Sequence, residues 1–332
     1  FSLASHATKQ VVNVYAWAGE IPDVVIQQFE KETGINVNLT TYENNEVMYA
    51  KLRATGNPGY DIILPSSYFV DRMRKQNMLE KLDTSKLSNF KYIDPTFLHP
   101  AYDPKGEYSV PFIWGVTGIF VNQHYYSPNT ITGWSTLWEP RFKNQLMLLN
   151  DMRELFSVAL LSLGYSANDR NPDHIKAAFI KLQALMPNVK VFASDAVTSI
   201  IIDEDATIGA AWNGDAFKAY EENSNIQFIY PKEGFVIWVD TLAIPFNAPH
   251  KDNAYAFINF LLRPDIAAIA ALQTKFATAN LAARKMLPDN IRNNTTVYPG
   301  ADIMKHGQFQ TDLGEETLGL LEEYWETLKM GG

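Results

Sequence analysis

Residues Gly234–Pro245 read GFVIWVDTLAIP, a long apolar run that we predict to be one extended strand. A second extended run, Tyr108–Phe112 followed almost at once by Gly115–Val121, leads out of a first group of strands and helices. A further block of strands and helices lies between the two runs. Two long extended crossings that flank a middle β/α block imply two lobes joined by two strands.

The segments before the first crossing alternate between strand and helix. Val11–Trp17 has the composition of a strand, and Pro22 begins a helix that Gly34 ends. The short apolar segment Tyr60–Pro65 is a further buried strand, and we expect Ser66 and Ser67 to cap the helix after it. Parallel strands linked by helices predict an α/β fold in which helices flank a sheet in each lobe.

These crossings set the expected domain bounds. We assign residues 9–114 and 241–288 to lobe 1, and residues 115–240 and 289–332 to lobe 2. Residues 1–8 begin at Phe1 and are small-residue rich, so we interpret them as a signal-peptide remnant or a tag. An exported bacterial protein is therefore favoured.

Composition excludes several classes of function. The 332 residues include 28 Lys plus Arg and 37 Asp plus Glu, which gives a net charge of −9 and disfavours nucleic-acid binding. The absence of cysteine excludes disulfides, thiol catalysis and thiolate zinc sites. No apolar stretch approaches the roughly 18 to 20 residues that would cross a bilayer, so membrane insertion is not expected.

Catalytic and cofactor motifs are missing from the sequence. None of the six histidines has a histidine partner four residues on, and there is no G-x-S-x-G, P-loop or G-x-G-x-x-G motif. We therefore predict no catalytic residue, no metal ligand and no cofactor. Adjacent Tyr125 and Tyr126 leave ferric iron open as a ligand, although packing in a loop explains them better.

Aromatic residues next to carboxylates or hydroxyls follow several predicted strands. The segments are Trp17-Ala18-Gly19-Glu20, Pro65-Ser66-Ser67-Tyr68, Trp212-Asn213-Gly214-Asp215, Trp238-Val239-Asp240 and Asn150-Asp151-Met152-Arg153-Glu154. Structural roles are open for each of them: the tryptophans as core residues, and Asp151 and Asp215 as helix caps. Asp240 is harder to explain structurally, because it interrupts an apolar strand where an unpaired charge is costly.

Together these segments predict a site for an organic cation. Aromatic rings and carboxylates, without a facing cluster of Arg or Lys, suit ammonium groups joined by methylene segments. Ammonium groups over indole faces gain about 0.5 to 2 kcal/mol each, and charge-assisted hydrogen bonds about 1.5 to 3 kcal/mol.

The chain resembles the periplasmic spermidine/putrescine-binding proteins of bacterial polyamine ABC transporters. The resemblance covers nearly everything from Val11 onward and is dense at Phe29–Ile35, Met48–Leu52, Tyr60–Tyr68, Met186–Val189, Ile258–Pro264 and Asn280–Lys285.

The resemblance implies a two-lobed type II periplasmic binding protein that closes on its ligand by hinge motion and delivers it to a membrane permease. It further implies a periplasmic location and a monomer. The polyamine-site positions of the family correspond to Trp17, Ser66, Tyr68, Asp151, Glu154, Trp212, Trp238, Asp240 and Gln310. In the family the aromatic residues enclose the methylene chain and the carboxylates take the nitrogens.

Three positions depart from the spermidine-preferring pattern. Ala18 replaces a hydroxyl residue, while Glu20 and Phe276 each replace a tyrosine. Asp215 matches the putrescine-preferring relatives, whereas Trp238 matches the spermidine-preferring ones. We add Glu20, Asp215 and Phe276 to the expected site and predict that spermidine is favoured, with putrescine possible.

Other functions remain as alternatives to polyamine uptake. The same fold could bind another cation, such as ferric iron, or serve as a polyamine-sensing receptor. An enzyme on this scaffold would need a nucleophile or a general-base pair, which the sequence does not show.

Overall fold

Strands and helices alternate along the chain in the computed structural model, which describes residues 10–193 and 195–331. The strands are β1 (Val11–Trp17), β2 (Asn36–Tyr42), β3 (Ile62–Ile63), β4 (Val110–Asn122), β5 (Leu146–Leu149), β6 (Val189–Ala193), β7 (Ile208–Trp212), β8 (Ile226–Ile229), β9 (Phe235–Leu242), β10 (Ala277–Thr278) and β11 (Gly307–Phe309). The predicted signal-peptide remnant or tag, residues 1–8, lies outside the described residues.

Thirteen α-helices connect or flank these strands in the described ranges. They are α1 (Asp23–Thr33), α2 (Asn45–Thr55), α3 (Ser67–Lys75), α4 (Met152–Ser162), α5 (Pro172–Leu185), α6 (Val197–Ile202), α7 (Asn213–Glu222), α8 (Lys251–Leu261), α9 (Pro264–Thr274), α10 (Leu281–Lys285), α11 (Asp289–Arg292), α12 (Ala301–Met304) and α13 (Gly314–Lys329). Short 3-10 turns occupy much of 84–97 and 128–142.

The chain divides into two compact units. The first unit comprises the described residues through Ile113 with Asp240–Thr274 and Thr278–Leu287; the second comprises Trp114–Val239, Lys275–Ala277 and the residues from Pro288 on. Strands β4 and β9 each run from one unit into the other. Trp114, Asp240, Lys275–Ala277 and Pro288 fall on the other side of the division from the predicted bounds. The Asp240 carboxylate accepts a hydrogen bond from Ser66, which belongs to the first unit.

The first unit contains a parallel three-stranded sheet in the order β2-β1-β3. Helix α1 returns the chain between β1 and β2, and Gly34 ends it at φ 72°, a left-handed conformation that glycine adopts without strain. Phe29 of α1 packs edge-on against Phe257 of α8, with ring centroids 4.7 Å apart. The core of this unit therefore lies between the sheet and its helices.

No single helix in the described part of the chain is long and apolar enough to cross a membrane. Helices α8 and α9 reach the length and apolar composition of a membrane span only when they are taken together, and they are bent by 72° where they join. Both contribute fully buried side chains such as Phe257 and Ile266, as the core helices of a folded domain do.

The second unit is built on a larger sheet in the order β11-β9-β4-β7-β5-β6, with β8 and β10 also paired to β4. Strand β4 runs antiparallel to β7 and β8, whereas β5 is parallel to β6 and β7. Its core includes Phe120, Leu148 and Phe156, and helices α4, α5 and α13 pack together over it.

The predicted site residues follow the carboxyl ends of strands in both units. Trp17 ends β1 and Trp212 ends β7, while Asp151 lies two residues beyond the end of β5. In open α/β sheets, ligands bind outside the carboxyl ends of the strands. The α/β class predicted from the sequence is confirmed, and each unit presents part of the candidate site at such an edge.

Candidate functional site

Two buried carboxyl groups lie together in the first unit. Glu20 stands in the turn after β1 and Asp240 lies on β9, and their side chains are 8% and 6% exposed. Ser66 Oγ donates a hydrogen bond of 2.5 Å to Asp240 Oδ1. Glu20 Oε2 is buried and receives no hydrogen bond from a donor in the described chain.

Burial and mutual repulsion raise the pKa values of this pair. Loss of solvation raises the pKa of Glu20 well above its usual value, and the neighbouring charge and hydrogen bond of Asp240 raise it further. Burial also raises the pKa of Asp240, while Glu20 and Ser66 oppose that shift by hydrogen bonding. Two carboxyl groups this close bind one proton more tightly than either would alone.

Ser66 does not have the capping role that the sequence predicted. It occupies the N-cap position of α3, but its side chain makes no cap hydrogen bond. Its hydroxyl donates to Asp240, and its backbone N–H donates to Asn45 Oδ1 at 3.0 Å. A hydroxyl bonded to a carboxylate is stabilised more than one bonded to a neutral amide, which explains the choice of partner.

Aromatic rings line the same edge of the first unit. Trp17 Nε1 and the Tyr42 hydroxyl both donate to the Leu64 carbonyl oxygen, at 2.8 and 2.5 Å, and their rings lie 5.0 Å apart. Tyr68 is buried and its hydroxyl donates to Glu46 Oε1 at 3.2 Å. These side chains are held in place by their own polar atoms, so their ring faces are pre-oriented.

A second carboxyl pair lies in the second unit. Asp151 caps α4, since its Oδ1 accepts the Glu154 backbone N–H at 2.9 Å, and the predicted capping role is therefore confirmed. Glu154 is 7% exposed, and its Oε2 receives no hydrogen bond within 10–193 and 195–331. Burial and then the charge of Asp151 raise the pKa of Glu154 to about 8.

One buried cation accompanies this second pair. Arg153 lowers the pKa values of both Asp151 and Glu154, although burial still raises each of them. Its guanidinium donates to the Thr311 carbonyl oxygen at 3.0 Å and to Asn168 Oδ1 at 3.1 Å. Part of the charge of the second pair is thus compensated within the protein, unlike that of Glu20 and Asp240.

Three aromatic side chains of the predicted set lie in the second unit, and one of them, Trp212, acts on the second pair. Trp212 acts on the Glu154 carboxyl and lies opposite Thr117 in the β4–β7 ladder. Trp238 meets Phe276 edge to face, with centroids 5.0 Å apart and an interplanar angle of 85°. The Trp238 indole N–H is buried without a hydrogen-bond acceptor among the described residues.

Glycines allow two of these rings to lie directly on the backbone. A Cβ atom on Gly115 would come within 2.2 Å of Trp238 Cζ2, and one on Gly214 within 2.2 Å of Phe276 Cδ1. Real Cβ atoms essentially never approach so closely, so any larger residue would displace the ring. The positions of Trp238 and Phe276 therefore depend on Gly115 and Gly214.

Gln310 and Asp215 complete the predicted set in the second unit. Gln310 is 4% exposed and donates to Ser157 Oγ at 3.2 Å. Asp215 lies inside the first turn of α7 rather than at its cap, so the alternative of a capping role is wrong. It accepts a hydrogen bond of 2.7 Å from Thr198 Oγ1, and burial raises its pKa against the effects of Thr198 and Lys218.

The paired tyrosines take part in packing. The Tyr125 hydroxyl donates to Glu204 Oε2 at 2.6 Å, and Tyr126 lies edge-on to Phe142. No group of three or more His, Cys, Asp and Glu side chains in the described residues is placed to hold a metal ion. The contacts of Tyr125 and Tyr126 match the loop packing that the sequence favoured for them.

Several residues of the site were missed from the sequence. Thr117 interrupts an apolar strand, the same signal that singled out Asp240, and its buried hydroxyl lies near Glu154. Asn213 follows Trp212 in the segment Trp212–Asp215 but was not itself predicted as a site residue. Its side-chain oxygen accepts from the Val116 backbone N–H at 3.0 Å, and its amide nitrogen donates to the Thr296 carbonyl oxygen at 2.9 Å. The residues next to Tyr42 in the sequence do not indicate its role, because its hydroxyl donates to the carbonyl oxygen of Leu64, 22 positions away.

Each unit thus presents aromatic rings beside a pair of carboxyl groups; Glu20, Asp240 and Glu154 are buried, and Asp151 is half-buried. Such a surface suits an organic cation, because carboxylates accept from ammonium N–H groups and rings cover the carbon segments between them. The fold and these surfaces define the class of α/β proteins that bind small solutes.

Comparison with known proteins places the chain within that class. Residues 25–298 match the family described as bacterial extracellular solute-binding protein, and the chain belongs to this family. The spermidine/putrescine-binding periplasmic protein of Salmonella typhimurium is 45% identical over 329 residues, which are 99% of this chain and 94% of the relative. The protein of the same description from Escherichia coli is 44% identical over the same shares.

A solved structure shows the same fold. A putative spermidine/putrescine ABC transporter protein from Listeria monocytogenes superimposes with a TM-score of 0.92 and 36% identity, covering 97% of this chain and 99% of its own. The fold expected from the family resemblance is therefore confirmed.

Proposed function

We propose that this protein is the solute-binding subunit of an ABC importer, and that it captures polyamines in the periplasm and delivers them to the membrane permease. The carrying observation is that each unit has aromatic rings together with a carboxyl pair, in which Glu20, Asp240 and Glu154 are buried and Asp151 is half-buried. In both pairs one carboxylate oxygen, Glu20 Oε2 or Glu154 Oε2, lacks a donor in the described chain. The relatives at 44–45% identity are named for spermidine and putrescine, which are organic cations of this kind.

The chemistry of polyamines matches these carboxylates and aromatic rings. Spermidine carries cationic nitrogens separated by methylene segments, so it needs several acceptors with apolar surface between them. Each charge-assisted hydrogen bond contributes about 1.5 to 3 kcal/mol, and each cation over a ring about 0.5 to 2 kcal/mol. A few such contacts, less the cost of association, support micromolar binding at about −8 kcal/mol.

We assign roles to the site residues on this basis. Asp240 with Glu20, and Asp151 with Glu154, accept hydrogen bonds from the nitrogens. The rings of Trp17, Tyr68, Trp212, Trp238 and Phe276 cover the methylene chain. Ser66 orients Asp240 through its hydrogen bond, and the Gln310 amide oxygen accepts from one end of the ligand. Asp215 supplies a further carboxylate in the second unit.

Spermidine is the preferred ligand and putrescine the weaker one. Two carboxyl pairs provide more negative charge than a diamine neutralises, whereas a triamine uses more of it. The relatives with the higher identities carry both polyamines in their names. The protein binds its ligand without converting it and acts as a monomer.

Titration calorimetry tests the proposal. Protein stripped by denaturation and refolding is titrated in parallel with spermidine and putrescine. We expect one-to-one binding of spermidine, and weaker binding of putrescine. Preference for putrescine would identify Glu20 and Asp215 as selecting residues. Absence of binding by both would refute polyamine capture, and visible absorbance after iron loading would indicate a ferric site instead. Recovery of chemically unchanged spermidine from the complex would distinguish a binding protein from an enzyme.

A further inference from the structure

The Glu20–Asp240 pair is the less compensated of the two carboxyl pairs. The groups that shift the pKa of either carboxyl are its partner and Ser66, none of which is cationic. Arg153, by contrast, acts on Asp151 and Glu154. Two charges without a cation are costly to bury, so the first pair needs a proton or a ligand cation.

Among the described residues, two tyrosines are the other titratable groups whose pKa values respond to this pair. Tyr42 of β2 is acted on by both carboxylates, and Tyr102, in the segment before β4, by Asp240. Burial raises the pKa values of both tyrosines, so both phenols stay neutral and neither supplies a compensating charge. The charge state of the pair is therefore governed by Glu20 and Asp240 themselves.

Hydrogen bonding distinguishes the two carboxyl groups. Asp240 Oδ1 already accepts from Ser66 Oγ, which favours its ionised form. Glu20 Oε2 is buried on a side chain that is 8% exposed, and it has no donor among the described residues. A buried acceptor without a donor costs free energy, and a proton or an ammonium N–H would satisfy it.

We propose that Glu20 and Asp240 hold one proton between them in the ligand-free protein and release it when an ammonium group of the ligand binds to the pair. This inference rests on the polyamine function proposed above. The ligand nitrogen keeps its own protons, the carboxyl proton passes to solvent, and the pair goes from one negative charge to two. Capture at this pair is thus an exchange of a proton for an ammonium group.

The exchange makes binding depend on pH in a defined direction. Affinity rises with pH while the free pair is protonated, by about tenfold per pH unit for each proton released. It levels off above the pKa of the free pair. Glu154, whose pKa is about 8, would add its own proton release if it takes a second ammonium group.

Calorimetry in two buffers of different ionisation enthalpy measures the protons released. Spermidine is titrated at about pH 6 into the wild type and the variant Glu20→Gln. The control variant is Glu43→Gln, which changes an exposed glutamate of the same unit. We expect the wild type and the control to release the same number of protons, and Glu20→Gln to release about one fewer. The slope of affinity against pH falls by the same amount in Glu20→Gln.

The outcomes separate the two proposals. Spermidine binding with no proton release, or with equal release by the wild type and Glu20→Gln, would overturn the exchange and leave polyamine binding intact. Failure of the wild type to bind would overturn both. The pH dependence of wild-type affinity needs no variant, so a flat profile between about pH 5 and 8 overturns the exchange even if Glu20→Gln does not fold.

Discussion

Ser66 and Asp240 are 174 positions apart in the chain, yet Ser66 Oγ donates a 2.5 Å hydrogen bond to Asp240 Oδ1. The two residues also form an isolated antiparallel bridge, so the contact involves backbone as well as side chain. This bond orients the carboxylate that we assign to a ligand nitrogen. It also opposes the rise in pKa that burial imposes on Asp240.

Replacing Asp240 with Asn tests the assigned carboxylate directly. The change keeps the shape but removes the charge, and a charge-assisted hydrogen bond of about 1.5 to 3 kcal/mol is lost. We expect spermidine affinity to fall by about 10- to 100-fold in titration calorimetry. The control is Asp252→Asn, at a carboxylate whose side chain is 96% exposed. An affinity within about twofold of the wild type would show that the Asp240 assignment is wrong.

Trp238 is expected to contribute ring surface rather than charge. Trp238→Leu removes part of the ring surface that covers the methylene chain, worth about 0.8 kcal/mol for each buried CH2, so we expect a loss in affinity of about fourfold or more. Trp325→Leu is a matched control, because Trp325 packs on Phe192 in the same unit. Equal affinities for the two variants would remove Trp238 from the site.

The substitution Gly115→Ala tests whether ligand binding depends on the position of the Trp238 ring. The added Cβ would lie 2.2 Å from Trp238 Cζ2, so the indole must move although every carboxylate stays unchanged. We expect weaker spermidine binding and a loss of stability of about 1 to 3 kcal/mol from overpacking. Gly319→Ala, in the interior of α13 with nothing within 4 Å of the new Cβ, should leave the affinity unchanged and should not destabilise the protein. Wild-type affinity in Gly115→Ala would mean that binding tolerates a displaced Trp238.

The stability of the ligand-free protein should fall as pH rises. Glu154 has a pKa of about 8 in the folded chain against an ordinary value of 4.5, so the folded state binds its proton more tightly than the unfolded state. A raised carboxyl pKa contributes stability that is present below 4.5 and is lost as pH rises through about 8. Glu20, Asp151, Asp215 and Asp240 shift in the same direction.

Thermal melting between about pH 5 and 8 measures this effect. We expect the melting temperature of the wild type to decrease over this window and that of Glu154→Gln to decrease less. Saturating spermidine should reduce the decrease, because the bound cation favours the ionised carboxylates. A wild-type melting temperature that rises with pH would contradict the assigned pKa directions.

Local patterns in the sequence were sufficient for the α/β class and for several elements. The apolar run at Gly234–Pro245 contains β9, and Gly34 ends α1 as predicted. The cap at Asp151 was also recognisable, since a capping residue and the N–H that it accepts lie within one helical turn. Such features depend on residues close together in the chain.

Partners that come from distant segments could not be predicted in the same way. Ser66 has the local sequence of a helix cap but donates to Asp240, and Asp215 accepts from Thr198 rather than capping α7. The contact of Gly115 with Trp238 has no local signature either. In each case the partner is set by which strands and helices become neighbours.

By itself, the sequence determined the types of element and the aromatic and carboxylate chemistry, and it predicted a cation as the ligand class, because these inferences depend on composition and short-range periodicity. Only the tertiary structure decided that Glu20 lies against Asp240 and that Arg153 compensates the charge of the other pair. It also decided that the pKa of Glu154 is raised to about 8. Burial and the charge of neighbours determine a pKa, and both arise only when residues far apart in the chain pack together.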